Sequence, residues 1–254
     1  MLPPFRSAIF FKSVAALEQA PASAAEVAFA GRSNTGKSSA INTLIGHRLA
    51  QVSKTPGRTR LINYYALGEE RFLVDLPGYG YSKVPAAIRA PWEELLGGYL
   101  RSRTPLRGLA IVMDIRHPLT TLDLRMLEWF RPTGKPVHVL LTKADKLSRE
   151  AGRMVLRRVA SELAGNASVQ LFSSLKKTGI DEAAGVLEAW LTRSSPGPNE
   201  VPGEPEVKTP GKTGGLEIKA PGLKGEISPG QNALRFKAPR SGRRSGRRPK
   251  PSNA

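Results

Sequence analysis

The stretch GRSNTGKS, residues 31–38, constrains this chain more than any other. It fits the pattern G-x-x-x-x-G-K-[ST]. Its glycines let the backbone curl until several N–H groups point inward, an arrangement suited to a phosphate. EVAFAG before it reads as a short buried strand; KSSAINTLIG after it has helical apolar spacing and stops at Gly46. A helix starting at Lys37 adds its positive end to the same site. The contact set expected here is Gly31, Arg32, Ser33, Asn34, Thr35, Gly36, Lys37 and Ser38. Lys37 is placed to reach the β- and γ-phosphates, and Ser38 to offer its hydroxyl to Mg²⁺.

Strands and helices alternate along the rest of residues 26–194. TRLINYYALG and RFLVDLPG read as neighbouring strands with a tight turn near Gly68. WEELLGGYLRSR reads as a helix, GLAIVMDI as a buried strand, LDLRMLEWF as a helix and PVHVLLTKAD as a strand. A long amphipathic helix begins after Ser148, whose side chain is placed to cap it. SVQLFSS and DEAAGVLEAWLTR are the last strand and helix. Continuous apolar strands separated by helices predict an α/β fold, a mostly parallel six-stranded sheet covered on both faces. Residues 1–25 are Ala-rich and weakly patterned and read as an N-terminal extension.

A phosphate loop does not choose the nucleotide. TKAD, residues 142–145, sits at the end of a strand, where ligands bind in such sheets. A carboxylate at Asp145 can accept hydrogen bonds from both N1–H and the 2-amino group of guanine. Adenine has neither donor, and a site built around such bonds rejects the analogue lacking them by about 10⁴ to 10⁵. Lys143 would lay its stem over the purine, within the contact set Thr142, Lys143, Ala144 and Asp145.

Asp75, in DLPG, ends another strand and is placed to hold Mg²⁺, with Leu76, Pro77 and Gly78 following. Gly78 can donate its backbone N–H to the γ-phosphate. SKTPGRTR, residues 53–60, is a polar connection in which a threonine could complete the Mg²⁺ shell only with GTP bound. Thr59 is the candidate and Thr55 the alternative; the contact set expected here is Gly57, Arg58, Thr59, Arg60 and Leu61. Catalytic roles fall to Lys37, Thr59 and Gly78, and Mg²⁺ ligation to Ser38, Thr59 and Asp75. FSSLKKTG places Ser173 and Ser174 where backbone N–H groups could meet the guanine 6-oxo group.

Composition narrows the partner. The formal charge is +18, with +11 in residues 1–195 and +7 in residues 196–254. Such an excess over both parts favours a polyanion, nucleic acid or a nucleic-acid particle, over mere solubility. The absence of cysteine excludes disulfides and thiolate metal sites and suits a reducing cytosol. No apolar run approaches a membrane span, no secretion signal stands out, and a cytoplasmic monomer is expected. Residues 195–254 are Pro- and Gly-rich, with eight basic residues and no acid in the last twenty, and read as a disordered tail with RNA affinity.

GRSNTGKSSAIN, TPGRTR, DLPGYGYSKV, MDIRHP, TKADKL and FSSLKKTG occur in this order. Together they resemble the EngB (YihA or YsxC) family of bacterial GTPases, of the Era-like, translation-associated class, over about residues 5–193. The resemblance implies a Ras-like GTPase fold, Mg²⁺-dependent GTP binding and a role in large-subunit ribosome assembly, with rRNA or ribosomal proteins as partners. It also implies a link to cell division and septation.

Fast Ras-like enzymes often carry a Gln after D-x-x-G, to orient water. Tyr79 occupies that place, which predicts slow unaided hydrolysis. Several Era-like GTPases use K⁺, held partly by a P-loop asparagine; Asn34 stands there, though it could serve only to stabilise the loop. Tyr79 and Tyr81 read either as surface packing under the next helix or as reporters of nucleotide state to a partner. The alternative function is a nucleotide kinase, against which TKAD and the lack of an Arg-rich lid both argue.

Overall fold

The computed structural model describes residues 4–50, 61–79 and 86–192, with backbone alone for Pro4 and 86–93. The strands are β1 (Ile9–Val14), β2 (Ala25–Gly31), β3 (Ile62–Ala66), β4 (Arg71–Asp75), β5 (Leu106–Asp114), β6 (Val137–Thr142) and β7 (Ser168–Leu171). The helices are α1 (Lys37–Ile45), α2 (Ala86–Ser102), α3 (Thr121–Phe130), α4 (Arg149–Leu163) and α5 (Ile180–Thr192). One sheet runs in the order β1-β3-β4-β2-β5-β6-β7. The pairings among β4, β2, β5, β6 and β7 are parallel, whereas β3 is antiparallel to both neighbours.

The sheet has seven strands where six are expected from the sequence. The seventh is β1, inside the segment read as an N-terminal extension. Its register on β3 shifts between Phe10 and Lys12, which breaks the two-residue period. Ile9, Phe10 and Phe11 are all more than half exposed, so burial does not impose an alternation either. Aromatic edges hold the strand: Phe10 meets Tyr65 at 6.2 Å and Phe11 meets Phe72 at 5.4 Å between ring centroids.

Side-chain alternation sends each central strand to two cores. From β2, Ala28 and Ala30 join one and Val27 and Phe29 the other. From β5, Leu109, Ile111 and Met113 face the first core, and Ala110 and Val112 the second. The first core is closed by α2, α3 and α4 through Tyr99, Phe130 and Val159. The second is closed by α1 and α5 through Ile41, Leu44, Leu187 and Trp190. Both faces of the sheet are therefore covered, as continuous apolar strands require.

Helix ends follow their local chemistry. Ser148 caps α4 by accepting the Ala151 N–H at 3.2 Å. Thr120 and Asp123 form a reciprocal capping box at the start of α3. Gly46 ends α1 in the left-handed region at φ 86°. No helix among the described residues is long and apolar enough to cross a membrane. The tail 195–254, the loop residues Gly57, Arg58, Thr59 and Arg60 with Thr55, and Tyr81 lie outside the described residues.

Candidate nucleotide-binding site

The parallel strands deliver their carboxyl ends to one edge of the sheet. β2 ends in the 31–38 loop, β4 in Asp75, β5 in Asp114, β6 in Thr142 to Asp145, and β7 just before Ser173. This is where an open α/β sheet binds ligands.

The loop needs its glycines for distinct reasons. A Cβ on Gly31 would lie 2.9 Å from both the Thr35 Oγ1 and the Val112 carbonyl. Gly36 takes φ 95°, a conformation that disfavours any side chain, and is the N-cap of α1. It offers no side-chain acceptor, and no acid sits in the first turn of α1. The first N–H groups of that helix therefore have neither a side-chain cap nor an acid from their own turn. Thr35 folds back on the Arg32 carbonyl through its N–H at 3.2 Å and its hydroxyl at 2.9 Å. Asn34 adopts φ 66°, which Asn tolerates better than most residues. Ser33 and Ser38 are half-buried beside it.

Asp75 is 3% exposed, and its carboxylate forms an ion pair with Lys37. The strand register explains the meeting: Phe29 of β2 lies beside Asp75 of β4, and the Phe29 carbonyl accepts the Leu76 N–H at 3.0 Å. Pro77 and Gly78 follow as buried backbone, and the Tyr79 N–H reaches the Gly31 carbonyl at 3.3 Å. Leu61 is exposed just before β3.

The 142–145 segment is tied to the phosphate loop. The Thr142 hydroxyl lies 2.5 Å from the Thr35 carbonyl and 3.0 Å from that of Met113. The Lys143 ammonium donates to the Asn34 carbonyl at 2.7 Å and pairs with Asp114 at 2.9 Å. Its ammonium thereby bridges the 31–38 loop and the end of β5. The Ala144 N–H donates to the Phe172 carbonyl at 3.2 Å, joining this segment to the end of β7.

Asp145 accepts a 2.6 Å hydrogen bond from the Ser173 hydroxyl. That bond holds its carboxyl below the usual carboxylate range, so it stays a charged acceptor. Ser173 itself is buried, and its N–H donates to the Thr178 carbonyl at 3.1 Å. The serine therefore orients Asp145 through its side chain. Of the two serines expected to offer a backbone N–H, Ser173 has its own engaged within the protein.

Sequence reasoning missed two acidic residues, Asp114 and Asp123. Asp114 receives two guanidinium hydrogen bonds from Arg116, at 2.9 and 2.7 Å, besides Lys143. Burial pushes its pKa up, but hydrogen bonds from Arg116 and Lys143 outweigh that and hold it well below the usual range. Asp123, fully buried, accepts from Arg32 at 3.3 Å, from the Tyr79 hydroxyl at 2.9 Å and from Thr120 at 2.7 Å. The signal for Asp123 was present as T-x-x-D ahead of an apolar run, a capping pattern. Its reach to Arg32 across 91 residues had no local signal.

Tyr79 is the correction. Both sequence readings placed it at the surface, but it is 8% exposed and its hydroxyl points to α3. The residue following D-x-x-G is thus a buried strut.

The comparisons agree with this geometry. A family model described as 50S ribosome-binding GTPase matches residues 26–143. The "Probable GTP-binding protein EngB" of Dechloromonas aromatica is 55% identical over 221 residues, 82% of this chain and 100% of that one. The protein of the same description from Methylobacillus flagellatus is 59% identical over 195 residues, 75% and 94% of the two chains.

This chain belongs to the EngB family of GTP-binding proteins.

The fold agrees too. A crystal structure of a probable GTP-binding protein engB superposes with a TM-score of 0.54 at 21% identity, covering 66% of this chain and 98% of that one. Era in complex with MgGDPNP and a 16S ribosomal RNA segment gives 0.56 at 21%, covering 68% and 58%. At such identities the likeness is one of fold. In this EngB-family chain, the six-strand pattern plus the edge strand β1 makes a mixed, mostly parallel α/β GTPase sheet.

Proposed function

We propose that this chain binds GTP with Mg²⁺, hydrolyses it slowly to GDP and phosphate, and uses the nucleotide state to time its association with the large ribosomal subunit or its precursor. The observation that carries the guanine reading is Asp145, held as a charged acceptor by Ser173 at the same sheet edge as the 31–38 loop. The ribosomal partner rests on the matched family's description and on the +18 charge.

The residues present fit a magnesium ion. Among the described residues no cluster of three acids, histidines or cysteines could cage a metal. Ser38 and Asp75 offer instead a hydroxyl and one carboxylate, the sparse hard-oxygen set that Mg²⁺ takes alongside waters and substrate phosphates. Thr59 would complete the set when GTP is bound. The bound ion would neutralise charge on the β- and γ-phosphate oxygens. Lys37 would exchange Asp75 for those oxygens, and the Gly78 N–H would donate to the γ-phosphate.

Slow turnover follows from Tyr79, whose hydroxyl is engaged by Asp123 and cannot orient an attacking water. A potassium ion beside Asn34 would supply positive charge in its place. GTP turnover should then be at least several-fold faster in KCl than in NaCl at matched ionic strength. Asn34→Gly, which keeps the positive φ, should remove the difference; equal rates for the native chain in both salts would refute it.

Sedimentation with purified 50S subunits and their precursors tests the main reading. Binding should be strong with a non-hydrolysable GTP analogue and weak with GDP. Equal binding in both states would overturn the nucleotide-gated role. Incubation of GTP with phosphate acceptors should yield only GDP and free phosphate, which separates this reading from a nucleotide kinase.

A further inference from the structure

Helix α4 presents three arginines to solvent in a row. Arg149, Arg153 and Arg157 are spaced by four and all exposed, so they follow one side of the helix at steps of about 6 Å. Among the described residues none of the three forms an ion pair, whereas Arg158 pairs with Glu162 at 3.7 Å. The buried residues Gly152, Val159 and Leu163 form the adjoining side of the helix, roughly a quarter turn away, and pack against the core. Glu150 sits in the first turn, where the helix dipole accounts for an acid.

The row begins at the rim of the guanine site. Arg149 is four residues beyond Asp145, and exposed Lys146 and Lys176 both act electrostatically on that carboxylate. Lys177, next to Lys176, is exposed as well. α4 also packs against β7, the strand that leads into the 173–178 loop.

We infer that the Arg149–Arg153–Arg157 row, with Lys146, Lys176 and Lys177 at its start, docks a nucleic-acid phosphate backbone. The choice of RNA over DNA rests on the ribosomal reading above. Arginine suits this task because its planar guanidinium makes paired hydrogen bonds to phosphate oxygens and stays charged. A protein partner fits less well. Interface centres are poor in charge and rich in aromatic anchors, but the large apolar side chain exposed on α4 is Met154 alone. A membrane fits less well again, because surface-bound helices insert an apolar face and that of α4 is already buried.

The test uses the full chain carrying Arg149→Gln, Arg153→Gln and Arg157→Gln, with 23S rRNA transcribed in vitro as probe. Binding is measured from 50 to 300 mM KCl. Each phosphate contact contributes about 0.7 to 0.9 to the slope of log affinity against log salt. The triple variant should lower that slope by about 2 to 3 and weaken binding at least tenfold near 100 mM salt. The remaining basic residues, tail included, are common to both proteins and cancel in the difference. Replacing the three arginines by lysines should restore the slope. Melting temperature and fluorescent GDP affinity of the Gln variant should match the native chain, since none of the three residues belongs to the proposed nucleotide site.

An unchanged slope overturns the inference. So does loss of binding to phosphatidylserine vesicles or to a ribosomal protein with rRNA affinity intact. Failure of the native chain to bind GDP would strike the guanine reading alone and leave the salt-slope result standing.

Discussion

The Tyr79 hydroxyl donates a 2.9 Å hydrogen bond to Asp123, the carboxylate that also holds Arg32 of the phosphate loop. One buried acid thus joins the turn after Asp75, the loop at 31–38 and the cap of α3. Burial, then the Asp123 charge, push the Tyr79 pKa well up, so the phenol remains a donor at any physiological pH. Tyr79→Phe keeps the ring packing and removes this single bond. It should lower GTP turnover by about threefold to tenfold, because Gly78 loses part of its restraint, while GDP affinity changes less than about twofold. Single-turnover hydrolysis and fluorescent-GDP titration separate the two effects, and equal losses in both would refute a positioning role.

Ser173→Ala should weaken GDP binding by about 10- to 150-fold, the loss expected for one hydrogen bond to a charged group. The pH profile should move as well. The Ser173 bond lowers the Asp145 pKa, so its removal raises that pKa and protonation begins at a higher pH. The deficit relative to the native chain should therefore widen as pH falls from 7 toward 4.5, measured as GDP affinity.

His138 should make stability pH-dependent. Its ring lies 2.7 Å from the Ser168 hydroxyl and 2.8 Å from the Gln170 Oε1. The Gln170 amide nitrogen is spent on the Leu171 and Gly179 carbonyls, so its oxygen faces the ring and Nε2 carries the proton. Burial lowers the His138 pKa from 6.5, partly opposed by the Gln170 bond. The folded state holds the neutral ring more firmly than the unfolded chain does. Stability is thus fully present above about pH 6.5 and is lost as pH falls through the lowered value. Thermal melts of His138→Gln from pH 8 to 5 should show a shallower decline than those of the native chain.

Two buried tyrosines beside Glu26 should respond in opposite ways. Tyr99 donates to Glu26 at 2.7 Å, while the Tyr64 hydroxyl is buried with no hydrogen-bond partner among the described residues. Tyr99→Phe removes a donor from a buried carboxylate otherwise held by Arg103 and should cost about 1.5 to 3 kcal/mol. Tyr64→Phe relieves a desolvated hydroxyl and should be neutral or stabilise by about 1 kcal/mol. Denaturant unfolding of the two variants distinguishes them; a large loss for Tyr64→Phe would mean that its hydroxyl is satisfied after all.

What could be read from the sequence was local or periodic. The 31–38 loop announces itself because its glycines meet requirements within eight residues: a close approach at Gly31 and a positive φ at Gly36. The strand centres at 27–31, 108–113 and 139–141 show as unbroken apolar runs because both faces are buried. Asp75 and Asp145 follow from their places at strand ends, where a parallel sheet collects its ligands.

What only the tertiary structure decided depends on partners far apart in the chain. β1 stayed hidden because an edge strand with a register shift carries no clean alternation. The role of Ser173 changed from a backbone donor to a side-chain brace because its N–H is used by Thr178. Tyr79 reads as a surface aromatic until α3 brings Asp123 over it, 44 residues later. The sequence determined which groups could meet a guanine nucleotide; packing between elements decided which of their atoms remain available to do so.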